Sequence, residues 1–387
     1  MPPRIRSLPT LFLALAPLAM PAAAAGPPFA TELSLGFGYE GSSAERPLVV
    51  LDGAPSAAYA YSADGTAHSI DVTATRWLSP VGDDQQTPLA LLPYVARASG
   101  VTARFALSGA SRDSFGSFSG QESSLEVGLA GDGTLREARL DAEWFAAKSL
   151  SVRGGLAYVT ERETAASTSI ERPSGRADVS TAGTRSSGGT GSLGVALRLG
   201  DHEVSASGSY GESDLTREDA SAFTGSAQPY FSTLDAEGVV KRGTLATRLL
   251  FLGRRLALDA SGSYAESTSS SSLGTTLSGP SAEGRALSRN VGAVATWFFT
   301  RRLGVSAGFA YGTRSVASGP PGQLRPSRSE TGRAWSAGTR WFASERVCVS
   351  LLASRTGTDA VAPPDASTYQ RFEDVVDRVT LGAALRF

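Results

Sequence analysis

Apolar and polar residues alternate along several short segments of this chain. From residue 303 to residue 311 the sequence reads LGVSAGFAY, in which every second side chain is apolar and the side chains between them are small. Similar alternation occurs at 33–39, 101–107, 150–158, 193–199, 256–264, 335–341 and 379–387. Because successive side chains of a strand point to opposite faces, each segment predicts a β-strand with one apolar face.

Aromatic pairs and short breaks indicate how these segments connect. Trp144, Trp297 and Trp341 each open a Trp-Phe pair that precedes a short polar break, and an alternating segment follows each break. Long polar stretches separate the other ends of the segments. Short turns at one end and long loops at the other predict a meander of antiparallel hairpins, with strands of about ten residues.

The strand number follows from these starts and ends. Strands leaving a short turn begin near residues 31, 100, 150, 203, 255, 303 and 347, and strands entering one end near 77, 145, 199, 252, 299, 342 and 387. This pattern predicts fourteen strands. Sixteen is the alternative, because 125–145 and 229–252 are long for single strands. Within the first of them, parity changes at Gly131-Asp132-Gly133, which predicts a bulge or an extra turn.

The face opposite the apolar one is polar throughout, which favours a membrane barrel over a soluble sandwich. It carries Ser, Gly, Thr, Arg, Asp and Glu, whereas a soluble two-sheet core would fill its inner face with large apolar side chains. A closed barrel in lipid has an apolar exterior, a polar interior and aromatic girdles at both edges. The predicted girdles are Trp77, Trp144, Phe145, Trp297, Trp341 and Phe342 at the short-turn end, and Tyr39, Tyr158, Tyr210, Tyr264 and Tyr311 at the long-loop end.

Composition and the N-terminus agree with an exported membrane protein. The 387 residues carry a formal net charge of -1, which argues against a nucleic-acid partner bound through global positive charge. No later stretch is apolar for long enough to form a membrane-spanning helix. Arg4 and Arg6, the apolar run LFLALAPLAM and Ala22 to Ala25 predict a signal peptide at residues 1–25. Residues 26–387 are then a single barrel domain.

The C-terminal strand, VTLGAALRF, ends the chain on Phe387. Together with the signal peptide and the hairpin meander, it resembles the Gram-negative outer-membrane β-barrel proteins, with porin-like proteins as the nearest analogy. The resemblance implies an outer-membrane location among its lipids and lipopolysaccharide, periplasmic short turns and extracellular long loops. It also implies that the barrel assembly machinery recognises the C-terminal strand, with Phe387 as the assembly signal.

Catalytic chemistry has little support in this sequence. Only two histidines are present, and His68 and its neighbour Ser69 point to opposite faces of a strand, so they form no local dyad. His202 falls in a short turn. No group of His, Cys, Asp or Glu has metal-ligand spacing, and the single cysteine, Cys348, makes no internal disulfide. We therefore expect neither an enzyme nor a bound cofactor.

A plain barrel of this width favours passive diffusion of small polar solutes or ions. The few residues between the cleavage site and the first strand leave no room for a plug domain or a passenger domain. The alternative is a non-conducting structural barrel or a surface-binding one, such as an adhesin or receptor. The segments 160–187 and 211–242 are the largest predicted loops and are expected either to fold inward as a constriction or to stand outward as a binding surface.

Charged residues on the polar parity are candidates for lining the pore. They either pair across strands or give a cationic mouth with weak anion preference. The candidates are Arg104, Arg153, Arg198, Arg248, Arg340, Arg386, Asp141, Glu143, Glu203 and Asp259. One short-turn connection, between Trp77 and Gly100, is unusually long. It is expected to pack as a cap on the barrel mouth or to dock a periplasmic partner, and its residues 89–98 to form a short helix or to extend the next strand.

Overall fold

The computed structural model describes residues 29–46, 58–82, 84–119, 124–172, 176–223, 230–274, 282–361 and 371–387. The predicted signal peptide, residues 1–25, lies outside these ranges.

The described chain forms fourteen antiparallel strands that close into one barrel. Each strand pairs with its neighbours in sequence, and β1 also pairs with β14. The strands are β1 (Phe29–Arg46), β2 (Ala58–Val81), β3 (Gly100–Ser119), β4 (Ser124–Ala147), β5 (Leu150–Arg172), β6 (Arg176–Leu199), β7 (His202–Phe223), β8 (Tyr230–Phe251), β9 (Leu256–Gly274), β10 (Ala282–Thr300), β11 (Leu303–Gly319), β12 (Arg325–Phe342), β13 (Val347–Val361) and β14 (Arg371–Arg386).

The predicted count of fourteen strands is confirmed. The two long segments that suggested sixteen are the single strands β4 and β8. Residues Gly131–Gly133 contain neither a bulge nor a turn, since they pair in continuous register with β3 and β5. The change of parity has a different cause. From Arg136 toward the start of β4 the outer face of the strand is polar, because this part of the strand lies beyond the apolar belt.

The strands are longer than the predicted ten residues. They run from 15 residues in β13 to 24 residues in β2, β4 and β6. The predicted long loops are therefore mostly paired β-structure: Thr160 pairs with Ser187, and Gly211 pairs with Val240. A barrel strand needs about 9–11 residues to cross a bilayer, so the hairpins project well beyond the apolar belt.

Apolar and polar faces divide between the outside and the inside of the barrel. On β9, Leu256, Leu258 and Tyr264 point outward, while Asp259 on the other parity points inward, toward Arg248 on β8. This belt covers about nine residues, the lower end of the roughly 9–11 residues with which a tilted barrel strand crosses a bilayer.

One connection at the short-turn end differs from the others. After β2 the chain forms a 3-10 turn at Leu89–Leu91 and the short helix α1 at Leu92–Val95 before β3 begins. The other connections at this end span only a few residues. No helix within the described ranges has the length and apolar character needed to cross a membrane.

The alternation of faces can be tested at two adjacent positions in the middle of the apolar belt of β9. Ala260 lies on the outward parity and Ser261 on the inward parity. Ala260→Arg should lower the free energy of unfolding in lipid vesicles by about 2–4 kcal/mol, because it places a charge against lipid. Ser261→Arg should change it by less than about 1 kcal/mol, because its charge meets the hydrated lumen.

The measurement is urea unfolding in phosphatidylcholine vesicles, followed by tryptophan fluorescence. Equal costs at the two positions would contradict the assignment of inside and outside.

Candidate functional site

The connection between β2 and β3 crosses the barrel at its short-turn end. We call residues 84–99 the mouth segment. Its backbone and side chains bond to two turns on other parts of the rim, one between β10 and β11 and one between β6 and β7. Leu89 N donates to Arg301 O at 3.0 Å, the Tyr94 hydroxyl donates to Asp201 O at 3.2 Å, and Arg97 donates to Gly200 O at 3.3 Å. The structure therefore shows the capping arrangement among the alternatives expected for this connection.

Leucine side chains fix the mouth segment to the inner wall. Leu89 and Leu92 are almost completely buried and belong to one cluster with Phe29, Trp77 and Phe342. Leu91 packs in a second cluster with Leu250, Ala257 and Phe298. A buried leucine contributes about 1.5–3 kcal/mol relative to an exposed one, so the three leucines hold the segment against the wall.

The repeated Trp-Phe pairs divide between lipid and lumen. Trp144, Trp297 and Trp341 are outward-facing, with 62%, 39% and 52% of their surface exposed. The phenylalanine after each one faces inward, because adjacent strand residues point to opposite sides. Phe145, Phe342 and also Trp77 were assigned to the girdle from the sequence; the structure instead places all three inside, against the mouth segment or its arginine partners.

Arg254 joins the mouth segment to the rim through ion pairs. Its guanidinium donates to Asp84 at 2.8 Å and Thr87 at 2.7 Å, and to both carboxylate oxygens of Asp201 at 3.0 Å. We call these four residues the Arg254 cluster. Arg254 has a φ of 70°, a left-handed backbone conformation that costs an ordinary residue about 1 kcal/mol or more. The bonds of the cluster offset that cost.

Hydrogen bonding favours the charged form of Asp84. The Thr87 hydroxyl donates to Asp84 at 2.6 Å and the Gln86 amide donates at 3.1 Å. These bonds, with the charge of Arg254, hold the pKa of Asp84 below its usual value of 3.8. The stabilisation of the mouth segment by this carboxylate is therefore complete above about pH 4 and is lost as the pH falls through the lowered pKa.

Arg198 forms a second charged cluster inside the wall, with Glu143, Arg153 and Glu203. Arg198 is only 4% exposed and donates to Glu203 at 2.6 Å. Arg153 bridges Glu203 at 2.6 Å and Glu143 at 2.9 Å. Arg198 also donates to Tyr94 O at 2.5 Å, and its guanidinium lies 4.1 Å from the Tyr94 ring centre. This Arg198 cluster thus supports the mouth segment from the side of β4–β7.

Arg386 has the same role on the opposite wall. It is 5% exposed, pairs with Glu32 at 2.6 Å and donates to Leu89 O at 2.9 Å. Its guanidinium lies between the rings of Phe29 and Phe342, at 4.6 Å and 4.9 Å. Arg198 and Arg386, expected from sequence to line a cationic mouth, are therefore buried in contacts with acids and with the mouth segment.

The remaining predicted pore residues face the lumen above the mouth segment. Arg248 pairs with Asp259 at 2.5 Å. Asp141 pairs at 2.6 Å with Arg139, which is not among the pore residues predicted from sequence. Arg104 and Arg340 have no ion pair within the described ranges. Parity alone would have identified Arg139 and Glu32 as inward-facing, and only the register reveals their partners.

Two adjoining cavities occupy this part of the lumen. The larger has a volume of about 870 Å³, with Pro93 and Tyr94 of the mouth segment among its lining residues, together with Arg248 and Asp259. The second has a volume of about 490 Å³ and is lined by residues including Arg139, Asp141 and Arg242. Both are large enough for water and small polar solutes, and both carry charges of each sign.

The described ranges contain no group of three or more His, Cys, Asp or Glu residues able to hold a metal ion. His68 faces outward against the Tyr39 ring at 5.3 Å, and His202 accepts a hydrogen bond from Leu250 N at 3.3 Å. Cys348 is a free thiol buried in the cluster around Leu89 and Leu92.

Known structures share this architecture. No family model and no curated protein matches the sequence. A Pseudomonas aeruginosa FadL homologue gives a TM-score of 0.56 at 10% identity, over 92% of this chain and 90% of that one. The Pseudomonas putida toluene transporter TodX gives 0.52 at 10% identity, over 93% of this chain and 91% of that one. The chain therefore has the fold of the outer-membrane β-barrels, as the resemblance implied.

Cys348 offers a direct test of the mouth segment. Because this thiol lies beneath Leu89 and Leu92, it should react slowly with a maleimide in the folded wild type. Arg254→Gln removes the charged bonds to Asp84 and Asp201 and should raise the labelling rate by about tenfold.

Arg302→Gln is the matched control, since Arg302 is an exposed rim arginine with no side-chain contact to the mouth segment among the described residues. Equal labelling of the wild type and both variants would show that Arg254 does not hold the segment in place.

Proposed function

We propose that this protein is an outer-membrane channel for small polar solutes or ions, and that the mouth segment gates its periplasmic end. In this proposal the protein is exported by the secretory route into the outer membrane of a Gram-negative bacterium. The barrel assembly machinery recognises its C-terminal strand. The position of Phe387 supports that role, because its backbone pairs with Thr31 across the seam that closes the barrel, with N···O distances of 2.9 Å and 3.0 Å.

The charged lining of the lumen is the observation that carries the proposal. An apolar solute would gain little from walls lined by Arg139, Asp141, Arg248 and Asp259. A hydrated ion or small polar molecule can exchange its water for these groups without a large desolvation cost. The named transporter among the similar structures carries toluene, and the polar lumen favours a different class of solute here.

Gating follows from the contacts of the mouth segment. Pro93 and Tyr94 of the segment line the larger cavity, and in this proposal a solute reaches the periplasm only when the segment moves. The contacts at the Arg254 cluster are only partly buried, with side-chain exposures of 25% for Arg254 and 42% for Asp84. Partly exposed ion pairs contribute modestly and respond to salt, which suits a reversible gate.

Ion selectivity should be weak. Most lumenal arginines pair with acids, which cancels much of their field at short range. Arg104, Arg242 and Arg340 have no ion pair in the described residues. The inward-facing acids Asp71 and Glu137, also without an ion pair there, offset part of their charge and leave a small positive excess. Low-dielectric walls reduce screening of such charges, so we propose a slight preference for anions.

A non-conducting barrel is the second candidate. The buried leucines and the two buried arginines that hold the mouth segment favour it, since they also suit a permanently closed structural or surface-binding protein. Stable single-channel steps from refolded protein in a planar bilayer would separate the two functions. Their absence from a correctly folded preparation would favour the second.

Selectivity can be tested with lumenal charge reversals. Arg104→Glu combined with Arg340→Glu should move the reversal potential in a tenfold salt gradient toward that of a cation-preferring channel. Arg185→Glu makes the same kind of change on the outer face of β6, and should leave the reversal potential unchanged. An unmoved reversal potential in the double variant would place Arg104 and Arg340 outside the conducting path.

Acid should open the gate through Asp84. Between pH 5 and pH 7 the carboxylate stays charged, so open probability should be constant. As the pH falls through the lowered pKa of Asp84, the carboxylate takes up a proton, its bond to Arg254 weakens, and open probability should rise. Asp84→Asn should open more often at neutral pH and lose most of the acid response, as recorded by single-channel currents. An unaltered acid response in this variant would remove Asp84 from the gate.

A further inference from the structure

The outer face of the barrel carries a second arrangement of charge, just beyond the apolar belt. Tyr39, Tyr158, Tyr210, Tyr264 and Tyr311 all face outward and are 38–54% exposed. Because the strands of a barrel tilt, residues at the same height along the barrel axis are not directly paired. They are offset by a fixed number of residues from each strand to the next. When the pairing register is followed around the barrel, the five tyrosines come at one height. They mark the edge where apolar side chains end.

Three arginines gather at this edge on neighbouring strands. Arg333 on β12 pairs directly with Tyr311 on β11, and Arg289 on β10 is at the same height on the other side of β11. Arg355 on β13 pairs directly with Trp335 and lies diagonally next to Arg333. We call Arg289, Arg333 and Arg355 the basic patch. All three face outward and are exposed.

The basic patch has an excess of positive charge. Arg355 is 68% exposed and has one weak contact, to Asp377 at 3.8 Å. Arg289 and Arg333 make no ion pair within the described part of the chain. Elsewhere along the same edge acids accompany the tyrosines: the Tyr210 hydroxyl donates to Glu212 at 2.7 Å, and Glu266 pairs with Arg285 at 2.8 Å. Three uncompensated cations therefore lie side by side on β10–β13. Arg136 on β4 also faces outward at this edge without an ion pair within the described residues, but it is far from the other three.

Apolar aromatic surface lies directly below the basic patch. Phe309 and Trp335 face outward on β11 and β12 with ring centres 4.4 Å apart, and Trp335 is 63% exposed. Thr313 and Thr331, on the same outward parity, supply hydroxyl groups above Tyr311. Cations and hydroxyl donors above an aromatic apolar surface match a lipid whose chains contact the rings and whose headgroup carries phosphate.

From this arrangement we infer that the basic patch binds the phosphorylated headgroup of a lipid in the leaflet at the tyrosine edge. The inference rests on the membrane location in the proposed function but not on conductance. Two arginines that flank one strand stand about 10 Å apart, so they can engage separate phosphate oxygens on one headgroup or on neighbouring ones. Such binding would fix the barrel's depth and its preferred neighbours in the leaflet.

The test is native mass spectrometry of the folded protein in a non-ionic detergent. Dioleoyl phosphatidic acid is the probe, and dioleoyl phosphatidylcholine, with the same chains, is the reference. Wild type should retain phosphatidic acid preferentially, and Arg289→Gln/Arg333→Gln/Arg355→Gln should retain it about tenfold less. The charge-matched control is Arg104→Gln/Arg242→Gln/Arg340→Gln in the lumen, which should retain the lipid as wild type does.

Several outcomes would overturn the inference. These are equal retention by the triple variant, equal loss in the lumenal control, displacement of the lipid by 10 mM inorganic phosphate, or a protein dimer without lipid adducts. Wild-type preference should also disappear in 0.5 M ammonium acetate, because salt screens exposed charges. A preference that survives this salt would not be electrostatic.

Conductance separates this inference from the proposed function. In a phosphatidylcholine bilayer the triple variant should conduct as wild type does, because its changed residues lie outside the barrel. Heat-dependent migration on gels verifies that each variant is folded. Loss of lipid preference in a barrel that never conducts would support the inference and contradict the channel.

Discussion

Satisfaction of backbone hydrogen bonds in a medium without water is the constraint on which this structure depends. Lipid offers no partner for an unpaired N–H or C=O, so the strands must close into a ring in which β1 meets β14. Closure forces the strands to tilt, and tilt sets the register that brings the tyrosines to one height. It also leaves each strand with only two faces, one toward lipid and one toward the lumen, from which the division of every Trp-Phe pair follows.

That same division explains why most of the barrel could be predicted from sequence. Within the apolar belt, lipid outside and water inside require apolar and polar side chains to alternate with a period of two residues. The strand starts near Gly100, Leu150 and Leu303 could be predicted from this alternation. Beyond the belt both faces of a strand meet water, so the alternation fades although the backbone pairing continues. The segments around 160–187 and 211–242 look like loops in the sequence for that reason, and their strand character depends on pairing with distant partners.

The mouth segment was harder to predict, for a different physical reason. Its sequence contains one short apolar run, LALL, which fits a helix, a strand or a packed turn equally well. What decides its position is the inner wall, where Phe298 and Phe342 offer apolar surface and Arg198 and Arg386 offer donors to its carbonyl groups. These groups come from strands more than a hundred residues away. Because adjacent strand residues point to opposite faces, the sequence could have shown that the phenylalanine of each Trp-Phe pair points inward. It could not have shown what these phenylalanines contact.

The two kinds of contact made by the mouth segment have different consequences for its motion. Burial of Leu89, Leu91 and Leu92 favours the closed position at any pH, while fixing the backbone of an otherwise free connection opposes it at about 1–2 kcal/mol per residue. Because these large effects oppose each other, smaller contributions determine the balance. The Arg254 cluster is the part of the attachment that salt and acid can reach, since its groups lie at the exposed rim. In the proposed gate, the buried contacts of Arg198 and Arg386 define where the segment returns, and the rim contacts set how often it leaves.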